Sequence, residues 1–461
     1  MIIERLLLPV FGVIFDNYTI MKNTLFTFFL LVGLGVQAQH SISGTFMPAK
    51  DYEWLIAYRL KPGTQNYIAQ TKVQNGVFSL RIPENSLPGT YRLVYAVPQE
   101  EFYFDVIYNG KEDISLAFDS KNGVSFLSSE ENILFNTYFK KIIALEQQIV
   151  DFYTNGNTNK KEYAVIVRQM HGLQNSYEVK SEGLMSNHFI KSNKPYIPVE
   201  YQSIHDYVNS KKERYFNALE IDNPILQASG FLTNKLANFV FTALPLETST
   251  LLERQGAMIS NVDIINKKIS SINTKYKIHL YYTLWAQAAA SDYTITSDYI
   301  YNTYLKDLST EYGNQDKVNQ IEEHNRLRMG AIAPDIKWSK SDSRYELSTL
   351  EGSGNYVLAF WSSTCSHCLR ELPALHKELI SNKDIKVVAI GLEDDDITWK
   401  QESARMPQFE HVLALGKWDS EYADLYAINR TPAYFILDKD KKIIAKPEDD
   451  KEVIEFLKAL D

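Results

Sequence analysis

The chain has 461 residues, 45% of them apolar and 23% charged, with a formal net charge of −9. A length of this order suggests about three domains. The acidic balance argues against a nucleic-acid binder, which needs a basic face, and lends no support to binding at an anionic membrane surface.

Residues 21–38 read as a secretory signal peptide. Met21-Lys22 supplies the cationic start, Leu25 to Gly35 the short apolar stretch, and Val36-Gln37-Ala38 the small-residue exit, with cleavage expected after Ala38. Residues 1–20 are also apolar but carry Glu4 and Asp16. The preferred reading is translation from Met21, with residues 1–20 a gene-model extension; a membrane-anchoring hairpin is the competing one. No cysteine follows the apolar stretch to take a lipid, and no later stretch is long and apolar enough to span a bilayer.

Residues 39–127 read as a small antiparallel β domain, a sandwich or barrel. Short strands are expected at Ser41–Met47, Trp54–Leu60, Tyr67–Val73, Val77–Ile82, Thr90–Val97, Phe102–Tyr108, Ile114–Phe118 and Val124–Leu127. Between two of them, Gln74-Asn75-Gly76 is a hairpin signal, because Asn-Gly accepts the positive φ of a type I′ turn.

From Ser128 the apolar period changes, and residues 128–328 read as all-α. Expected helices include Glu130–Tyr153, Lys160–Asn187, Pro224–Phe241, Tyr276–Ala290, Ser297–Leu308 and Gln315–Met329. Their histidines (His171, His188, His205, His279) are scattered and match no metal-ligand spacing, so no metal site is expected.

Residues 329–461 read as an α/β domain with a mixed central sheet flanked by helices. Gly330-Ala331-Ile332-Ala333-Pro334-Asp335 is the entry. Tyr356-Val357-Leu358-Ala359-Phe360-Trp361 is a buried strand, and a helix follows with Leu369, Leu372, Leu375, Leu379 and Ile380 on its apolar face. Ile385–Leu392 is a second buried strand, followed by an acidic turn, Glu393-Asp394-Asp395-Asp396. Ala433–Leu437, a tight turn, a short strand and a closing helix complete the domain.

The only two cysteines, Cys365 and Cys368, stand at the junction of the first strand and its helix. Unpaired N–H groups and the helix dipole there favour negative charge, so a lowered pKa is expected for Cys365. A C-x-x-C that follows a strand and opens a helix in an α/β pattern reads as a redox site. Two intervening residues let the sulfurs meet across the first turn. Cys365 is then the attacking thiol, and Cys368 the one that resolves the mixed disulfide. A zinc site would need about four ligands, and no second C-x-x-C exists. Glu371, three residues after Cys368, shares its helix face and can raise the thiol pKa or shuttle its proton. Thr431-Pro432 precedes the strand Ala433–Leu437 at a distance that favours a cis-proline facing the cysteines, with the Thr431 backbone free to pair with a substrate strand.

Gly330-x-x-Ala333-Pro334-Asp335, Phe360-Trp361-x-x-x-Cys365-x-x-Cys368, Glu371-Leu372-Pro373 and Thr431-Pro432 together resemble the TlpA/ResA-like thioredoxin family. The β region likewise resembles the N-terminal domain found ahead of thioredoxin domains in exported Bacteroidetes proteins. The resemblance implies an extracytoplasmic thiol–disulfide oxidoreductase. Cys365 is its nucleophile, Cys368 its resolving thiol, Pro432 its cis-proline and Glu371 an acid that influences the cysteines' titration, with Trp361 and Thr431 in support. Two positions depart from the usual pattern. Thr364 stands where tryptophan is common, and Ser366-His367 where Gly-Pro or Glu-Pro is frequent.

The expected function is therefore a periplasmic enzyme that reduces protein disulfides through the Cys365/Cys368 pair. No other cofactor is expected, since no flavin or nicotinamide fingerprint is present, and electrons would come from a membrane-embedded thiol carrier. Contact with the membrane is expected only through an uncleaved N-terminus. His367, which can stabilise the Cys365 thiolate, keeps an oxidase or isomerase as the alternative. A binding or assembly protein acting through residues 39–328 is a third reading.

Overall fold

The computed structural model describes residues 40–49, 52–340 and 343–460. The expected extension and signal peptide lie outside them. The chain divides into two compact units, one ending at Leu308 and one running from Ser309 to Asp461. No helix among the described residues is long and apolar enough to cross a membrane.

The first unit begins with eight strands: β1 (Ser41–Met47), β2 (Trp54–Lys61), β3 (Thr64–Lys72), β4 (Val77–Arg81), β5 (Gly89–Val94), β6 (Tyr103–Tyr108), β7 (Ile114–Asp119) and β8 (Gly123–Phe126). They form two four-stranded sheets, ordered β4-β1-β7-β8 and β3-β2-β5-β6. Pairing is antiparallel except between β1 and β7. Alternate side chains from both sheets meet in one core, where Phe46 packs on Phe78, Tyr95 and Phe118. Each such ring, fully buried, contributes roughly 1.5–3 kcal/mol. Asn75 and Gly76 both have positive φ, 52° and 76°, as a type I′ turn needs. The turn does not close a hairpin within one sheet, however. β3 pairs with β2 and β4 with β1, so it carries the chain from one sheet to the other.

Helices follow. The first, α1 (Glu130–Thr154), is capped by Ser129, and the Asn132 amide brackets the backbone N–H and C=O of Ile107 on β6, both at 2.8 Å. Buried Glu131 accepts the N–H groups of Met185 and Ser186 at 3.0 and 2.8 Å. The expected helix from Lys160 to Asn187 is two, α2 (Lys160–Lys180) and α3 (Ser186–Ser192), and α4 spans Ile204–Glu213. Pro224–Phe241 is likewise broken, into α5 (Pro224–Gln227) and α6 (Gly230–Thr242), where the Ser229 side chain caps a fresh start. In Ser297–Leu308 a π-helical turn, Tyr301–Leu305, interrupts the α-helix.

In the second unit a five-stranded mixed sheet carries the site. Its strands are β11 (Asn355–Trp361), β12 (Ile385–Glu393), β13 (Glu410–Leu415), β14 (Ala433–Leu437) and β15 (Ile443–Ala445); a separate hairpin, β9 (Lys337–Lys340) with β10 (Ser343–Glu346), precedes it. The order is β13-β12-β11-β14-β15, with β11, β12 and β13 parallel and β14 antiparallel to β11. Both faces of β11 are covered, which explains its unbroken apolar run. Tyr356, Leu358 and Phe360 enter one core cluster, Val357, Ala359 and Trp361 the other. Gly391 on β12 is required by packing: a Cβ there would lie 2.4 Å from the Trp399 ring. The helix after β11 runs Cys368–Leu379. Leu372 and Leu375 are buried, but Leu369 and Ile380, expected on the apolar face, are 39% and 49% exposed.

Candidate active site

β11 ends at Trp361, and the chain turns through Ser362, Ser363 and Thr364 into the two cysteines. The turn closes when the Cys365 N–H donates to the Ser362 carbonyl at 3.1 Å, and Leu369 N–H then donates to the Cys365 carbonyl at 3.0 Å. Cys365 thus sits one turn ahead of the helix that opens at Cys368, within reach of the first N–H of that helix, which has no backbone carbonyl to pair with.

The two thiols are free and lie in unlike environments. Cys365 is half-buried and Cys368 fully buried. The Cys368 N–H points at the Cys365 sulfur from 3.5 Å. Burial alone would raise the Cys365 pKa. Hydrogen bonds from the Cys368 thiol and N–H and from the Thr431 hydroxyl outweigh it, and the net shift is downward. In the protonated state its S–H donates to the Thr431 carbonyl at 3.5 Å. Cys368 is pushed up to about 12, chiefly by burial and then by its neighbour's sulfur. One thiol is therefore the readier nucleophile, and the other stays protonated until a base or a partner draws its proton.

The remaining residues singled out by sequence fall around this pair unevenly. The Thr431–Pro432 peptide is cis, and Pro432 is buried. The Thr431 carbonyl, expected to be free for a substrate strand, is engaged by the Cys365 thiol. Trp361 is 1% exposed and packs with Cys368 and Leu372 in the core. The Glu371 side chain is 14% exposed, and its Oε2 lies 3.4 Å from the Tyr434 hydroxyl. His367 is exposed at the helix cap position, and its imidazole makes no hydrogen bond among the described residues; its backbone, not its ring, acts on Cys365.

Two residues at the site escaped the sequence reading. Tyr434 is buried, and its pKa is raised by burial first and then by the charges of Glu371, Asp450 and Cys368. Its hydroxyl therefore lies in the field of both Cys368 and Glu371. Glu393, expected to start an acidic turn, is instead the last residue of β12 and only 3% exposed. It accepts the Ser363 N–H and lies 3.4 Å from the Ser362 hydroxyl, so it holds the turn that leads into Cys365. The parallel register could have found it. Trp361 pairs with Gly391, and two residues further on Ser363 faces Glu393. Among the described residues no cluster of metal-ligating side chains occurs.

Residues 329–446 match the AhpC/TSA family model. The thiol–disulfide oxidoreductase ResA of Bacillus thuringiensis subsp. konkukian is 26% identical over 141 residues, 29% of this chain and 80% of that protein. A ResA of Bacillus cereus is 24% identical over 124 residues, 26% of this chain and 70% of its own length. Similar solved structures include a domain of a possible thiol–disulfide isomerase from Cytophaga hutchinsonii, at 29% identity and a TM-score of 0.26 over 29% of this chain and 93% of that one. A thioredoxin-like protein from Bacteroides caccae matches at 15% identity and a TM-score of 0.30 over 58% of this chain and 98% of its own. By this match and its ResA relatives, the C-terminal part of this chain is a thioredoxin-fold domain similar to the AhpC/TSA family, and the chain is a thiol–disulfide oxidoreductase resembling the TlpA/ResA group.

Proposed function

We propose that the chain is an exported, periplasmic enzyme that reduces disulfides in proteins. The observation that carries this reading is the asymmetry of the two thiols, one half-buried with a lowered pKa and one buried with its pKa near 12. The Cys365 thiolate attacks one sulfur of a substrate disulfide. A mixed disulfide forms, and the other substrate sulfur leaves as a thiolate. Cys368 loses its proton and attacks the Cys365 sulfur, so the Cys365–Cys368 disulfide forms and the substrate departs as a dithiol. Two electrons have then passed from enzyme to substrate. They are restored by a thiol carrier in the membrane. Glu371, reached through Tyr434, is the base for the Cys368 proton. Export rests on the sequence of residues 21–38. An oxidase would draw on thiolate stabilisation by the His367 ring, and among the described residues that ring makes no hydrogen bond to the Cys365 sulfur, which favours the reductive direction.

The test is Cys368→Ala. With the resolving thiol gone, mixed disulfides on Cys365 should accumulate with periplasmic proteins and vanish on adding dithiothreitol. A Cys368→Ala protein that traps nothing in its native compartment, while Cys365 remains alkylatable, would sink the proposal.

A further inference from the structure

Within the first unit, a cleft of about 1290 Å³ opens among β5 and β6 and the helices α1, α4 and α6. It belongs to no part of the thiol chemistry. Its lining has two characters. Phe135, Phe139, Phe231 and Phe189 form a closed ring of contacts, with successive centroids 4.4, 6.0, 5.6 and 5.5 Å apart. The other character is positive charge. Among the described residues, seven lysine and arginine side chains line the cleft against two carboxylates, in a chain whose net charge is −9.

Both carboxylates are already engaged. Asp105 holds Arg92 through two 2.9 Å hydrogen bonds, and Glu146 pairs with Lys211 at 3.3 Å. Lys140, Lys212, Arg214 and Lys235 line the cleft without an ion pair to a carboxylate within 4.0 Å among the described residues, and only the charge of Glu146 reaches Lys235 from a distance. Lys235 is the most telling. Its ammonium lies 5.9 Å from the ring centres of both Phe231 and Tyr215, so it joins the aromatic wall to the cationic one. Burial lowers the pKa of Lys235 and of Lys212, which marks both as partly withdrawn from water. Desolvated cations without a close anion are costly, and a site that keeps two of them, Lys212 and Lys235, beside an apolar wall is matched to an anion that brings its own apolar body.

We propose that this cleft binds a small amphipathic organic anion, with its acidic head on Lys212 and Lys235 and its aryl or alkyl body against the four phenylalanines. The experiment uses the purified full chain and 8-anilinonaphthalene-1-sulfonate as probe, competed by decanoate and, separately, by 1-decanol, which has the same apolar body without the charge. Expected are saturable one-site binding of the probe, displacement by decanoate but not by decanol, and about tenfold weaker decanoate binding in the Lys212→Gln/Lys235→Gln double variant. Non-saturable binding, displacement by decanol at the same concentration as decanoate, or unchanged affinity in a folded double variant would each overturn the proposal. The decanoate and decanol comparison needs no variant, so misfolding cannot shelter it. Thiol exchange is not among the readouts, so failure here leaves the proposed reductase untouched.

Discussion

The Ser363 N–H donates to the Glu393 carboxylate across the ends of two parallel strands, two residues before Cys365. A carboxylate that is 3% exposed thereby holds the turn on which both thiols depend. Glu393→Ala leaves the buried Ser363 N–H without an acceptor, a loss of about 1–3 kcal/mol. Chemical denaturation should show that loss, together with slower thiol exchange. Glu393→Gln keeps an acceptor oxygen and should recover most of both. If alanine and glutamine behave alike, the hydrogen bond is not what positions the turn.

The two thiols should separate by pH. Alkylation of Cys365 by iodoacetamide should reach its half-maximal rate below pH 9.0, the ordinary value for its thiol, while Cys368 stays unreactive in the folded protein. The linkage runs the other way for Cys368. Its folded pKa, about 12, exceeds its ordinary 9.0, so the unfolded chain releases this proton first as pH rises. The reduced protein should therefore lose stability between pH 9 and about 12, and Cys368→Ala should lose less over that window. Equal alkaline losses in both proteins would remove the case for a proton held by burial.

Glu371→Gln should act on the second step alone. The Tyr434 hydroxyl, 3.4 Å from Glu371, lies within the field of Cys368. Stopped-flow measurement should find the first attack by Cys365 unchanged and the release of substrate from the mixed disulfide about 10²-fold slower. A uniform fall in both steps would mean a structural role instead.

How much of this was legible depended on how local each signal was. The apolar run Tyr356–Trp361, the C-x-x-C and Thr431-Pro432 are contiguous stretches, and the structure brings the cysteines and Thr431 together. Strand partners are not local. Alternating residues around Asn75-Gly76 define two strands, but nothing in the alternation says that they join different sheets. Helical periodicity found the stripe through Leu372 and Leu375, yet could not show that Leu369 and Ile380 overhang the core at its ends. Glu393 is acidic among acidic neighbours, and only its pairing across from Ser363 separates it from them.

Packing gives a prediction free of the chemistry. Gly391→Ala puts a methyl group 2.4 Å from the Trp399 ring, and one of them must shift. Overpacking of this kind costs about 1–3 kcal/mol. Thermal unfolding should register it. A Gly391→Ala, Trp399→Leu double variant should recover part of the loss, and no recovery would locate the strain elsewhere.

If the Cys365/Cys368 pair works as a reductant, its equilibrium potential shows it. Titration of the full chain against a dithiothreitol and glutathione series should give a value near thioredoxin's, about −270 mV, and His367→Ala should move it by less than about 30 mV, a tenfold change in equilibrium constant. A potential near −120 mV, falling steeply in His367→Ala, would instead make the chain an oxidant tuned by its histidine.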